Sequence, residues 1–269
     1  MEILHERNPD MATLDGDTGR EMAEQAVTRS PETQSAHRKE VSPGLRRLAT
    51  LTSLDEAELI RIAFMAERTQ RRVKARSELM REGDPIARPL LILSGWAARM
   101  RTLSNGRRQL LSLLLPGDLM GIGRGHQPVA LSTIVALTDV AICHLPRQEE
   151  LDPDSGLAAA YDLSRTLDDH YMLAQIMRLG RLTAYERIAD FLLELYERLE
   201  PAGVARGGSF PMPLTQELMA DAMGLTSVHV NRTLQALRRE GVVTIGNSMA
   251  TLHQPAALAE MVGHRVPIF

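Results

Sequence analysis

Six side chains in one short run have types and spacing suited to chemistry. Ser227, Val228, His229, Asn231, Arg232 and Gln235 lie in the segment SVHVNRTLQALRR. Val230, Leu234 and Leu237 recur at i, i+4 and i+7, so a helix here buries those three and leaves the six outside. A guanidinium, two amides, an imidazole and a hydroxyl then form one polar stripe able to match base edges. Arg232 suits the paired acceptors of a guanine, and Val228 suits a thymine methyl. Thr215, Gln216 and Arg239 are of the types that hold phosphates and so fix register. The expected partner is double-stranded DNA.

Such a stripe needs a scaffold, and the flanking residues describe one. Thr215 is placed to cap a first helix ending near Met223, Gly224 permits a tight turn, and Thr226 can cap the second helix. Ala220, four residues before Gly224, allows two helices to cross closely, and Val230, six residues after it, fills the space between them. Val242 to Ile245 and Met249 to Leu252 are β-prone runs joined by Gly246-Asn247-Ser248, a hairpin signal. A helix pair followed at once by a hairpin is a winged helix-turn-helix.

These residues resemble the DNA-binding domain of the Crp–Fnr superfamily of bacterial transcription regulators. The likeness rests on Leu-Thr at 214–215, Gly-Leu-Thr at 224–226, Val-Asn-Arg-Thr-Leu at 230–234 and Leu-Arg-Arg-Glu-Gly at 237–241. It extends from about Leu45 to the C-terminus. The resemblance implies an α+β chain: an N-terminal antiparallel β-roll of cyclic-nucleotide-binding type, a long dimerisation helix, and the winged domain. The expected divisions are an arm at 1–44, the roll at 45–152, the dimerisation helix at 153–180 and the DNA-binding domain at 181–269. It further implies a homodimer, and RNA polymerase as a partner if the protein activates transcription. Two recognition helices about 34 Å apart would read a near-palindrome. Ser227 and Val228 stand where the best-known reader of the family has Arg and Glu, so the operator should differ.

The upstream residues fit that plan. Residues 1–42 are polar, lack aromatics and carry Glu2, Asp10, Asp15, Asp17, Glu21 and Glu24, which reads as a disordered acidic arm. A helix is expected over Asp55 to Arg68, with Leu54, Leu59, Ile62 and Ala63 as its apolar positions. Short β-prone runs follow at 72–73, 79–80, 89–93, 96–103, 110–115 and 134–145, punctuated by glycine turns. Leu157, Tyr161, Ser164, Leu167, Tyr171, Ala174 and Met177 or Arg178 then recur at spacings of three and four. A seam of that length is expected to pair with its copy in a second subunit. A second helix spans Ala184 to Arg198, and Pro201 to Pro213 reads as a flexible lead into the winged domain.

The sensor is less explicit. Glu82-Gly83-Asp84, Leu91 to Gly95 and Pro116-Gly117-Asp118 resemble the turns of cyclic-nucleotide-binding rolls, and the resemblance, counted back from the β-prone run at 134–145, implies an effector pocket at Gly121, Ile122, Ser132 and Thr133. The family's cyclic-AMP binders place an acidic residue and an arginine at the positions occupied here by Ile122 and by the Ala130-Leu131-Ser132 stretch. A phosphate there would lack its counter-charge, which argues against cyclic AMP and leaves the small-molecule effector unidentified. Cys143 is the sole cysteine, too few for an iron–sulfur cluster or an intrachain disulfide, and its apolar surroundings suggest a core residue. His126 and His144 read as structural or solvated rather than as ligands, and Gly121-Ile122-Gly123-Arg124-Gly125 lacks the context of a nucleotide-triphosphate loop. No metal and no cofactor is expected. The net charge of −3 excludes a general nucleic-acid coat. The absence of an 18-residue apolar run points away from the membrane and toward the cytoplasm, and no catalytic constellation suggests an enzyme. The rival reading is a cyclic-nucleotide or other small-molecule-binding regulatory module whose DNA-binding role is secondary.

Overall fold

The computed structural model describes residues 41–122 and 128–267. The expected arm therefore lies outside the described residues except at its end, as do Gly123, Arg124, Gly125 and His126. Helix α1 (Pro43–Leu51) begins just after Ser42, whose hydroxyl accepts from the Leu45 amide. The last two positions assigned to the arm, 43 and 44, are thus helical. Gly44 is needed there because α1 runs so closely against the strand that carries Ile92 that a Cβ would come within 2.0 Å of the Ile92 carbonyl oxygen.

Helix α2 (Glu56–Thr69) carries a capping box between Asp55 and Glu58. Its inward face is Glu58, Ile62 and Ala66, spaced by four, while Leu59 and Ala63 are exposed, contrary to the sequence expectation. The difference has a polar cause. The Glu58 carboxylate accepts from its own N-cap amide of Asp55 and from the amide of Leu157, 99 residues away, so a charged residue is drawn inward.

Eight strands form two four-stranded antiparallel sheets: β1 (Arg71–Val73), β2 (Glu78–Met80), β3 (Leu90–Ser94), β4 (Ala97–Thr102), β5 (Arg108–Leu114), β6 (Leu119–Met120), β7 (Thr133–Ala136) and β8 (Val140–His144). Their orders are β1-β8-β3-β6 and β2-β7-β4-β5. The run 134–145, read as one β segment, is two strands, one in each sheet. Leu90 and Ile92 point between the sheets with Val140 and Ile142, while Leu91 and Leu93 meet the helices with Ala141 and Cys143. Successive side chains face opposite ways along a strand. A strand covered on both faces therefore reads as an unbroken apolar run. Cys143 is fully buried, and burial pushes its thiol up to about 12, which leaves it an inert core residue.

Helix α3 (Gly156–Arg181) and helix α4 (Ala184–Leu199) follow. Much of the anticipated α3 seam is spent within the chain. Leu157, Tyr161 and Leu167 are buried against the chain's own helices and sheets, and Tyr171 lies under the Arg198 guanidinium at 4.2 Å. Arg178 is 1% exposed, bonded to Asp190 and Glu194 at 2.7 Å each. The large apolar residues that α3 leaves exposed are Met172, Leu173, Ile176 and Met177.

The C-terminal module comprises β9 (Ser209–Pro211), α5 (Gln216–Met223), α6 (Ser227–Arg239), β10 (Val243–Gly246), β11 (Met249–Leu252) and α7 (Pro255–Val262). Strand β9 corrects the expectation of a flexible lead. It pairs with β11 and buries Phe210 completely, making the wing a three-stranded sheet. Among the described residues no helix is long and apolar enough to cross a membrane.

Candidate nucleic-acid interface

The turn between α5 and α6 is built as its residues require. The Thr215 hydroxyl accepts from the Leu218 amide at 3.2 Å, and the Thr226 hydroxyl accepts from the His229 amide at 3.2 Å. Gly224 ends α5 at φ +63°, a left-handed conformation that a Cβ would strain. Val230 and Leu237 are fully buried, each stabilising the helix packing by about 1.5–3 kcal/mol. Thr233 is buried beside them and was not anticipated.

That packing turns the polar stripe outward. Val228 is 68% exposed, His229, Asn231, Arg232 and Gln235 are exposed, and Ser227 is half-buried at the first turn. The Gln235 amide donates to the Asn231 side-chain oxygen at 3.2 Å, which fixes two amides as one unit. The Arg232 guanidinium and the His229 ring have no partner among the described residues. Thr215 and Gln216 are exposed at the start of α5, where free amides and the helix dipole favour an anion, and Arg239 is exposed at the end of α6.

The wing is held to α6 by Arg238, which donates to the Ile245 carbonyl at 2.7 Å. Its tip is the two-residue turn Asn247-Ser248, both at positive φ (+53° and +57°), between the paired Gly246 and Met249. Arg238 was missed because its partner is a backbone oxygen, and the sequence carries no mark of it.

The second candidate site is a cavity of about 460 Å³ between the roll and α3. Gly121, Ile122 and Ser132 line it, but Thr133 does not. Its hydroxyl instead accepts from the Glu82 amide, closing the Glu82-Gly83-Asp84 turn. The expectation that this region lacks positive charge is also corrected, because Arg99, Arg101 and Arg165 are on its wall. Arg99 and Arg101 project from one face of β4, an i, i+2 relation that could have flagged them. Each is engaged within the chain. Arg99 grips Asp168 of α3 at 2.8 and 3.3 Å, Arg101 meets Glu82 at 2.9 Å, and Arg165 meets Asp162 at 2.6 Å. His144 is exposed on β8, and no group of three or more metal-ligating side chains occurs among the described residues.

Comparison with known proteins is consistent with this anatomy. Residues 70–152 match the cyclic nucleotide-binding domain and residues 186–261 the Crp-like helix-turn-helix domain. The chain is 33% identical to the transcriptional activator protein FnrL of Cereibacter sphaeroides, over 75% of this chain and 82% of that protein. It is 30% identical to the nitrogen fixation regulation protein FixK of Bradyrhizobium diazoefficiens, over 79% and 89% of the two chains. The solved structure of FixK2 from Bradyrhizobium japonicum superposes with a TM-score of 0.63 at 25% identity, covering 74% of this chain and 98% of that one.

The chain belongs to the Crp–Fnr superfamily. It is a DNA-binding transcription regulator with a cyclic-nucleotide-binding-like roll, and its relatives are regulators rather than enzymes. Regulators of this superfamily bind DNA through the helix-turn-helix and typically act as dimers.

Proposed function

We propose that this Crp–Fnr regulator works as a homodimer that reads a near-palindromic operator, with Arg232 as its main base-reading residue. Ser227, Val228, His229, Asn231 and Gln235 tune neighbouring positions, and Thr215, Gln216 and Arg239 hold phosphates. The observation that carries this reading is the Arg232 guanidinium, without a partner among the described residues, on an exposed helix face that is itself anchored by a buried Val230–Leu237 spine. Thr215 keeps its hydroxyl hydrogen for a phosphate, because only its oxygen is used in the cap. The exposed apolar residues of α3 supply a surface for a second copy.

The roll, residues 45–152, acts as the sensor, the 153–180 helix as the dimer element and residues 181–269 as the DNA reader. Its effector is a small molecule other than cyclic AMP. Support comes from the cavity's guanidiniums, which are already neutralised by Asp168, Glu82 and Asp162. As an activator the dimer would meet RNA polymerase, and its DNA target places it in the cytoplasm.

Selection of bound duplexes from a random pool, with the mass of the complex measured, tests this directly. Two inverted half-sites about one helical turn apart, bound by two chains, are expected. Recovery of sequences with no common half-site would remove the DNA-reading assignment. A thermal scan with added cyclic AMP should show no shift in Tm.

A further inference from the structure

A helix C-terminus exposes carbonyls that its own amides do not reach, and its dipole favours donors there. In α5 that end is gripped from three directions. The Ala222 carbonyl accepts from the Gln175 side-chain amide of α3 at 2.7 Å and from that of Gln109 in β5 at 3.4 Å. The Met223 carbonyl accepts from Arg187 of α4 at 3.0 Å. One residue earlier, Asp221 pairs with Arg108 of β5 at 2.6 Å. The Gln175 amide has a fixed orientation, because its oxygen accepts from Arg178, which is itself held by two buried carboxylates. Its nitrogen is therefore the atom directed at Ala222.

We propose that the C-terminal carbonyls of α5 are a docking clamp by which β5 and α3 fix where the winged domain sits, and so set the half-site spacing that the dimer accepts. The inference rests on the DNA-reading function above. Apolar packing also joins the two regions, since Leu110 and Leu113 of β5 belong to one core with Met219 and Ala222 of α5. Such packing is non-directional, whereas hydrogen bonds to carbonyls constrain angle. The clamp supplies orientation and the apolar contact supplies adhesion. Two turns before Gln175, Asp168 of the same helix bonds Arg99 of β4, so α3 is tied to the roll and to α5 at successive points.

The experiment uses the full chain and its selected operator. One duplex carries a single half-site, and others carry two half-sites with the spacer changed by one or two base pairs either way. Each added base pair rotates the second half-site by about 35° and moves it about 3.4 Å. The wild-type protein is expected to lose about tenfold in affinity when the spacing departs from its optimum by one base pair. Gln175→Glu keeps the Arg178 contact but sets a carboxylate against the Ala222 carbonyl, and Arg108→Asp sets like charges together. Both should flatten the spacing profile to about threefold or less while leaving single half-site affinity within about twofold. The double variant Arg108→Asp with Asp221→Arg should recover the steep profile. An unchanged profile in both single variants overturns the clamp. A loss of single half-site affinity equal to the loss on the full operator also overturns it, since the residue would then support the winged domain itself. If the wild type shows no two-half-site preference, the DNA-reading function falls and takes the clamp with it.

Discussion

The guanidinium of Arg232 stands on an exposed helix face with no carboxylate partner among the described residues, whereas those of Arg47, Arg178 and Arg198 are buried in a shared ionic network. Asp118 binds both Arg47 and Arg198, Glu194 binds both Arg198 and Arg178, and Asp190 joins Arg178 to His264. A solvated arginine costs little to keep and stays available to a nucleic acid. A buried one must be paired, and once paired it serves the fold. The two regions therefore make opposite demands. Changes in the network should cost stability with little direct effect on base recognition, and changes on the recognition face should do the reverse.

The largest effect is expected at Asp118. Asp118→Asn leaves Arg47 and Arg198 short of a counter-charge, and losing one partner of a buried pair costs about 3–5 kcal/mol. Urea unfolding should show this as a lower midpoint. Burial works to raise the Asp118 carboxyl, but Arg198 and Arg47 outweigh it and hold it at about 2, below its ordinary 3.8. Its contribution is thus present above pH 3.8 and lost as pH falls through about 2. An Asp118→Asn protein as stable as the parent at pH 7 would break the contrast.

His264 tests the alkaline side of the network. Burial opposes its charge, but hydrogen bonds to Asp190 and Glu197 raise it from 6.5 to about 9. The stabilisation is complete below pH 6.5 and disappears as pH rises through about 9, a loss on the order of 3 kcal/mol. His264→Gln should abolish that slope. An identical pH dependence in parent and variant would mean that the tail histidine plays no part.

On the other side of the comparison, Arg232→Ala should weaken specific DNA binding by about 1–3 kcal/mol and relax preference at one base position. Its unfolding free energy should stay within about 0.5 kcal/mol of the parent, because the side chain is exposed and its guanidinium has no hydrogen bond or ion pair among the described residues. Equal affinity of the variant for every operator tested against the parent would strip Arg232 of its role.

The legibility of these regions follows the range of the forces that build them. Thr215, Gly224, Thr226, Val230 and Leu237 act within one helix or one turn, so their spacing alone described the helix-turn-helix and its outward stripe. The wing hairpin was readable for the same reason. Strand β9 was not, because Gly207 and Gly208 resemble a loop and its pairing partner β11 lies about forty residues on. The cavity was read poorly. Arg99 meets Asp168 across 69 residues of sequence, and Thr133 turns to a backbone amide 51 residues away. The α3 seam misled for a related reason. Its i, i+3 and i+4 periodicity reported an inward face correctly but said nothing of whether the partner was a second copy or the chain's own helices and sheets.

The smallest expected effect sharpens the comparison most. The Arg99–Asp168 pair is partly exposed, so Asp168→Asn should cost less than about 1 kcal/mol of stability. The substitution nevertheless changes the state of Arg99 from spent to free, retaining its weak contact to Ser112 at 3.3 Å. The cavity would then hold a guanidinium resembling Arg232 in availability, facing about 460 Å³ of space. An anion that binds the folded state raises Tm in proportion to the logarithm of its concentration. Inorganic phosphate should therefore raise the Tm of Asp168→Asn more than that of the parent, at equal ionic strength. An equal rise in both proteins would mean that Asp168 does not hold Arg99 away from anions, and that pairing within the chain is not what separates the two kinds of arginine.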